Sequence, residues 1–69
     1  MIKRRKFLNI LADEFGVRFI RQAKGSHEIY TSKEGWAVIH VCDEIPDGTM
    51  LEILKQLKIE KDEFRKKLK

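Results

Sequence analysis

His27 and His40 are the only two imidazoles in the chain. An imidazole titrates near neutrality and can accept or deliver a proton in a reaction. His27 closes the string Lys24-Gly25-Ser26-His27. Glycine there lets a phosphate approach the backbone closely. Ser26 adds a hydroxyl and Lys24 a positive charge. Together they suit proton transfer at a phosphate ester, although a histidine at a strand start is by itself an ordinary surface residue. Two histidines with Asp43 and Glu44 lack a recognised metal-ligand spacing, so no metal and no cofactor are expected. Cys42 stands alone, which rules out an internal disulfide, fits a reducing compartment and reads as a half-buried strand-end residue.

The elements that must position these groups follow from periodicity. Phe7, Leu8, Leu11 and Phe15 recur at helical spacing over Arg4 to Phe15, and Gly16 supplies a stop. Val17 to Gln22 reads as a strand, and Gly25-Ser26 breaks the chain. His27 to Thr31 is a second strand, Ser32 to Gly35 a hairpin turn, and Trp36 to Val41 a third strand. Asp43 to Gly48 reads as a loop. Thr49 with Glu52 fits a capping box, opening a helix with Met50, Ile53, Leu54 and Leu57 on one stripe. Phe64 and Leu68 mark a last short helix. The expected fold is α+β, a three-stranded antiparallel sheet with two helices on one face and a short C-terminal helix, in one domain over residues 1–69.

The hairpin carries a sharper expectation. A two- or four-residue loop centred between Lys33 and Glu34 pairs Thr31 with Trp36, Ile29 with Val38, and His27 with His40. The two imidazoles then become cross-strand neighbours, with Cβ atoms about 4.5–5.5 Å apart. A three-residue loop would send them to opposite faces. Trp36 and Tyr30 read as core aromatics, the alternative being a platform on which bases stack.

Fifteen Lys and Arg against eleven Asp and Glu give a net charge of +4 and a pI near 9.4. The cations gather at Lys3 to Lys6, at Arg18, Arg21 and Lys24, and at Lys61 to Lys69, which points to a polyanion partner; solvated helix faces are the plain alternative. Met1 to Lys6 opens as a signal peptide does, but Asn9, Asp13 and Glu14 interrupt any apolar region after it. No apolar run is long enough for a membrane span, and Phe64 and Leu68 are too little for a surface helix. A cytoplasmic protein is expected.

Gly25-Ser26-His27 ahead of Tyr30 resembles the signature of the HicA toxins, small messenger-RNA-cleaving proteins of bacterial toxin–antitoxin pairs. The similarity continues through His40, Glu44-Ile45, Gly48-Thr49 and Ile53-Leu54-Lys55-Gln56-Leu57, then Lys58-Ile59 leading to Glu63-Phe64. The resemblance implies a fold like that of double-stranded-RNA-binding domains and the toxin of a type II toxin–antitoxin system. It implies a ribonuclease with His27 catalytic, an RNA substrate and a HicB-like antitoxin partner. His40 is the candidate second acid or base, and Arg21, Lys24, Gly25 and Ser26 are candidate RNA contacts. The alternative is a non-catalytic RNA-binding or partner-binding module on the same fold. Three positions depart from the family pattern. Gln22 stands where an arginine is usual, and a bulge would restore Arg21 to that place. Val38 replaces a common proline. Glu28 puts a negative charge next to His27, expected to raise its pKa or weaken RNA binding.

Overall fold

The computed structural model describes residues 1–68. Its elements are β1 (Ile2–Lys3), α1 (Arg4–Phe15), β2 (Arg18–Gln22), β3 (His27–Thr31), β4 (Trp36–His40), β5 (Glu44–Ile45), α2 (Asp47–Gln56) and α3 (Lys61–Lys66). Strands β2, β3 and β4 form an antiparallel sheet in chain order, while β1 pairs antiparallel with β5. The helix, three-strand, helix order is the expected α+β arrangement with a short C-terminal helix. It is consistent with a fold like that of double-stranded-RNA-binding domains.

The helical stripes and one face of the sheet account for the core. Phe7 and Leu11 of α1 are buried, as are Ala37 and Ile39 of β4 and Met50, Ile53 and Leu54 of α2. They form one cluster with Val17, Ile45, Leu57 and Phe64. Phe64 brings α3 into it: its ring meets Phe7 edge-on, with centroids 5.3 Å apart, and lies against Phe15 at 6.3 Å. Burying a side chain of this size stabilises a fold by about 1.5–3 kcal/mol, which matters in so thin a core. The alternate residues of β4, Trp36, Val38 and His40, are exposed, so the helices cover only one face of the sheet.

Local chemistry sets the element ends. Gly16, with φ 66°, terminates α1, and Val17 N–H donates back to the Leu11 carbonyl at 3.0 Å. No side chain caps the start of α1; instead the Arg4 N–H donates to the Asp43 carbonyl at 2.9 Å, satisfying an amide that the helix leaves unpaired. The expected capping box is not formed. Helix α2 begins at Asp47, with Pro46 in extended conformation before it and its carbonyl accepting the Met50 N–H at 2.9 Å. Thr49 is already inside the first turn, where its hydroxyl has no cap to make. Asp47 favours the earlier start, because a carboxylate offsets the positive end of the helix dipole.

Other expectations need revision. The segment read as a loop from Asp43 to Gly48 holds β5 and the first residues of α2. Cys42 is exposed, not half-buried, with its thiol beside the Glu44 carbonyl. Trp36 is not core: it is 62% exposed, whereas Tyr30 is partly buried and packs on the core. The basic C-terminal run ends in Lys69, which lies outside the described residues.

The hairpin register is the one expected, with Thr31 opposite Trp36, Ile29 opposite Val38 and His27 opposite His40. Its turn is closed by Ser32 N–H donating to the Gly35 carbonyl at 2.8 Å. The turn also docks on the end of α2, where the Ser32 hydroxyl donates to the Leu57 carbonyl at 2.7 Å. A Cβ on Gly35 would stand 2.3 Å from the Gln56 carbonyl oxygen, a backbone atom with little room to retreat. Gly35→Ala is therefore expected to destabilise the protein by about 1–3 kcal/mol. For a domain of this size that lowers Tm by about 4–8 °C per kcal/mol, readable by thermal unfolding; an unchanged Tm would show that the turn is free of α2.

Candidate active site

The hairpin register carries the two histidines to the same end of the open sheet face. Their ring centroids lie 4.4 Å apart, tilted by 45°, and both side chains are exposed. The turn between β2 and β3 then fixes the first ring. Gly25 has φ 69°, a left-handed conformation that disfavours residues with a Cβ. The turn is closed by Ala23 N–H donating to the His27 carbonyl at 2.8 Å, while Gln22 Nε2 donates to the Gly25 carbonyl at 3.3 Å. This arrangement sets the Lys24 carbonyl 3.2 Å from His27 Nδ1. A carbonyl only accepts, so Nδ1 carries the hydrogen, and Nε2 of the neutral ring keeps its lone pair for a substrate.

His40 is held differently. Its Nε2 lies 2.9 Å from the Ser26 hydroxyl, and the Ser26 carbonyl accepts the Val41 N–H at 2.8 Å. Ser26, expected as an RNA contact, thus orients His40. Lys24 is exposed in the turn.

Arg21 reaches the same face through an irregularity in β2. The pairing with β3 shifts between Phe19, opposite Tyr30, and Arg21, opposite Ile29. Ile20 is the extra residue, and this bulge puts Arg21 on the face that carries Ile29 and His27; it lies before Arg21, so Gln22 still stands three residues ahead of Gly25.

Side-chain alternation separates Glu28 from His27. Glu28 is next to His27 in sequence but points to the opposite face. There its carboxylate pairs with the Arg4 guanidinium and accepts the Tyr30 hydroxyl at 2.9 Å. Arg4 Nε also donates to the His40 carbonyl at 3.0 Å. Arg4 therefore ties α1 to β3 and to the end of β4 behind the imidazoles. In the sequence Arg4 appeared only as one member of a basic run expected to hold phosphates. What could have pointed to it is the isolated carboxylate in β3, which needs a cation once partly buried. Its neighbour Lys3 pairs with Glu44 at 3.6 Å, an exposed contact of little energetic weight.

Burial first, then the hydrogen bond and negative charge of Glu28, push the Tyr30 phenol above its ordinary value of 10.0. The folded state thus holds this proton more tightly than the unfolded chain does. Its contribution is complete below about pH 10 and is lost as pH rises through the folded value. Tyr30 is the only tyrosine, so ultraviolet titration reads it directly. Glu28→Gln is expected to move the titration back toward the ordinary value; no movement would mean the carboxylate does not reach the phenol.

Among the described residues no group of three or more His, Cys, Asp or Glu side chains is placed to hold a metal ion, and no helix is long and apolar enough to cross a membrane. No curated protein and no solved structure gives a significant match to the chain. A family model described as the HicA toxin of bacterial toxin–antitoxin systems matches residues 4–59, from the arginine behind the site to the residue after α2's end turn. That span holds both histidines, the Gly25-Ser26 turn and the whole sheet that carries them, and the chain belongs to the HicA toxin family.

Proposed function

We propose that this toxin acts as a ribonuclease on messenger RNA, with His27 as its proton carrier and His40 as the second acid or base. The observation that carries this reading is the pair of exposed imidazoles, 4.4 Å apart, on a sheet face that also bears Arg21 and the Lys24 turn. Cleavage of an RNA strand requires a proton to leave the attacking hydroxyl and another to reach the departing oxygen. RNA supplies its own nucleophile, the 2′-hydroxyl. A neutral imidazole takes that proton as the oxygen bonds to phosphorus. An imidazolium gives its proton to the 5′-oxygen as the old P–O bond breaks, leaving a cyclic phosphate and a 5′-hydroxyl. Neither a metal nor a cofactor enters the scheme. Each positioned proton transfer typically contributes 10²–10⁴-fold.

The remaining residues serve binding. Lys24 and Arg21 neutralise phosphates, which positions the strand and reads little sequence. Gly25 holds the turn open beside His27, and no atom outside the turn lies within 4 Å of where its Cβ would be. Because the substrate is cellular messenger RNA, the site of action is the cytoplasm. The antitoxin partner, HicB-like in this reading, covers Gly25 to His27 and meets their basic surroundings with acidic groups or an inserted segment.

His27→Ala is expected to abolish RNA cleavage while leaving the fold and most RNA affinity intact. The ring is exposed, so its removal should cost less than about 1 kcal/mol. Its loss strikes the transition state and not the ground state. If the two histidines share the proton transfers, His40→Ala should be as inactive, and the double variant little worse than either single one. Cleavage assays on purified protein, with unfolding curves for each variant, decide this. Undiminished cleavage by His27→Ala would sink the catalytic reading. RNA binding without cleavage by the unaltered protein would assign the chain to a non-catalytic module.

A further inference from the structure

Three rows of side chains cross the open face of the sheet. His40 and His27 form the first. Val38, Ile29 and Arg21 form the second, and Trp36, Thr31 and Arg18 the third. The two complete rows run from an apolar group on β4 to an arginine on β2. Trp36 and Val38 are 62% and 37% exposed, although tryptophan is a residue proteins usually cover. Trp36 lies two same-face steps from His40, roughly 13 Å along the strand at about 3.3 Å per residue.

We infer that Trp36 is a stacking platform for a nucleobase of single-stranded RNA, a few nucleotides from the phosphate held at His27. The inference rests on RNA being the ligand of this face, and it adds a base subsite to the cleavage site. Charge complementarity selects that occupant. The face offers cations for phosphates on β2, and the Glu28 carboxylate is turned to the other side and paired with Arg4. The surroundings of Trp36 suit an uncharged planar group. Trp36 and Val38 line a recess with Glu34, Gly35, Gln56 and Lys58, where Glu34 and Lys58 bring opposite charges. Gln56 and Glu34 offer hydrogen-bonding groups to the edge of a base whose flat side rests on the indole. Stacking of this kind tolerates every base, so the platform lengthens the footprint more than it narrows the sequence read.

Trp36 is the only tryptophan, so its fluorescence reports on the platform without a label. Short single-stranded RNA titrated into the His27→Ala protein is expected to quench that fluorescence to a plateau. Trp36→Ala should weaken RNA binding about fivefold to a hundredfold, and Trp36→Phe much less. In the otherwise unaltered enzyme Trp36→Ala should raise KM and leave the cleavage rate of bound RNA nearly unchanged. Thermal unfolding should show both variants folded, since the side chain is mostly in solvent. Unchanged fluorescence at RNA concentrations that saturate an anisotropy signal would overturn the proposal. So would RNA affinity unaltered by Trp36→Ala; if that variant also lost the antitoxin, the face would belong to the protein partner. Quenching by RNA in a protein that never cleaves would uphold the platform and refute the ribonuclease reading. Cleavage indifferent to Trp36→Ala in both KM and rate would do the reverse.

Discussion

A slip of one residue between β3 and β4 would move every side chain of one strand to the other face and separate the two histidines. The turn at Ser32 to Gly35 is what forbids it. Gly35 sits against the Gln56 carbonyl, and the Ser32 hydroxyl is bonded to the Leu57 carbonyl. The end of α2 thus fixes the turn, and the turn fixes the register at the far end of the hairpin, where His27 and His40 meet. Helix α2 is itself fixed by Met50, Ile53 and Leu54 in the core. The arrangement of the histidines on one face is set by apolar burial on the other.

Charge is sorted by the same alternation. Glu28 and His27 are chain neighbours, yet the pleat puts them on opposite faces, and Arg4 captures the carboxylate on the core side. The open face keeps arginines on β2 and imidazoles at the end of β3 and β4. Arg4 also bonds the His40 carbonyl, so the side chain that pairs with Glu28 on the core side steadies the second histidine as well. A small basic protein with little core gains both effects from one side chain.

Much of this was readable from residue order. The apolar stripe of Phe7, Leu11 and Phe15, the β-formers of the strands and the polar turn at Ser32 to Gly35 define the sheet, its register and α1. The resemblance to the HicA toxins supplied the weight on His27, and the shift at Ile20 sets which face Arg21 takes. What escaped has physical causes. β1 and β5 are two residues each, too short to show a period. Pro46 and Asp47 started α2 ahead of Thr49. Trp36, Ala37, Val38 and Ile39 are all apolar, so their sequence says strand but not which side is covered. The Arg4–Glu28 pair joins residues 24 positions apart and leaves no local pattern.

In the reaction proposed above, two imidazoles on this open face carry the protons of RNA cleavage. The decisive measurement is the rate of single-turnover cleavage against pH with a chelator present. A neutral base and a protonated acid working together predict a bell-shaped profile around neutrality, and His40→Ala should lose one limb of whatever activity remains. A profile without limbs between about pH 5 and pH 8, the interval in which imidazoles titrate, or cleavage that disappears with the chelator and returns with a divalent metal, would contradict it.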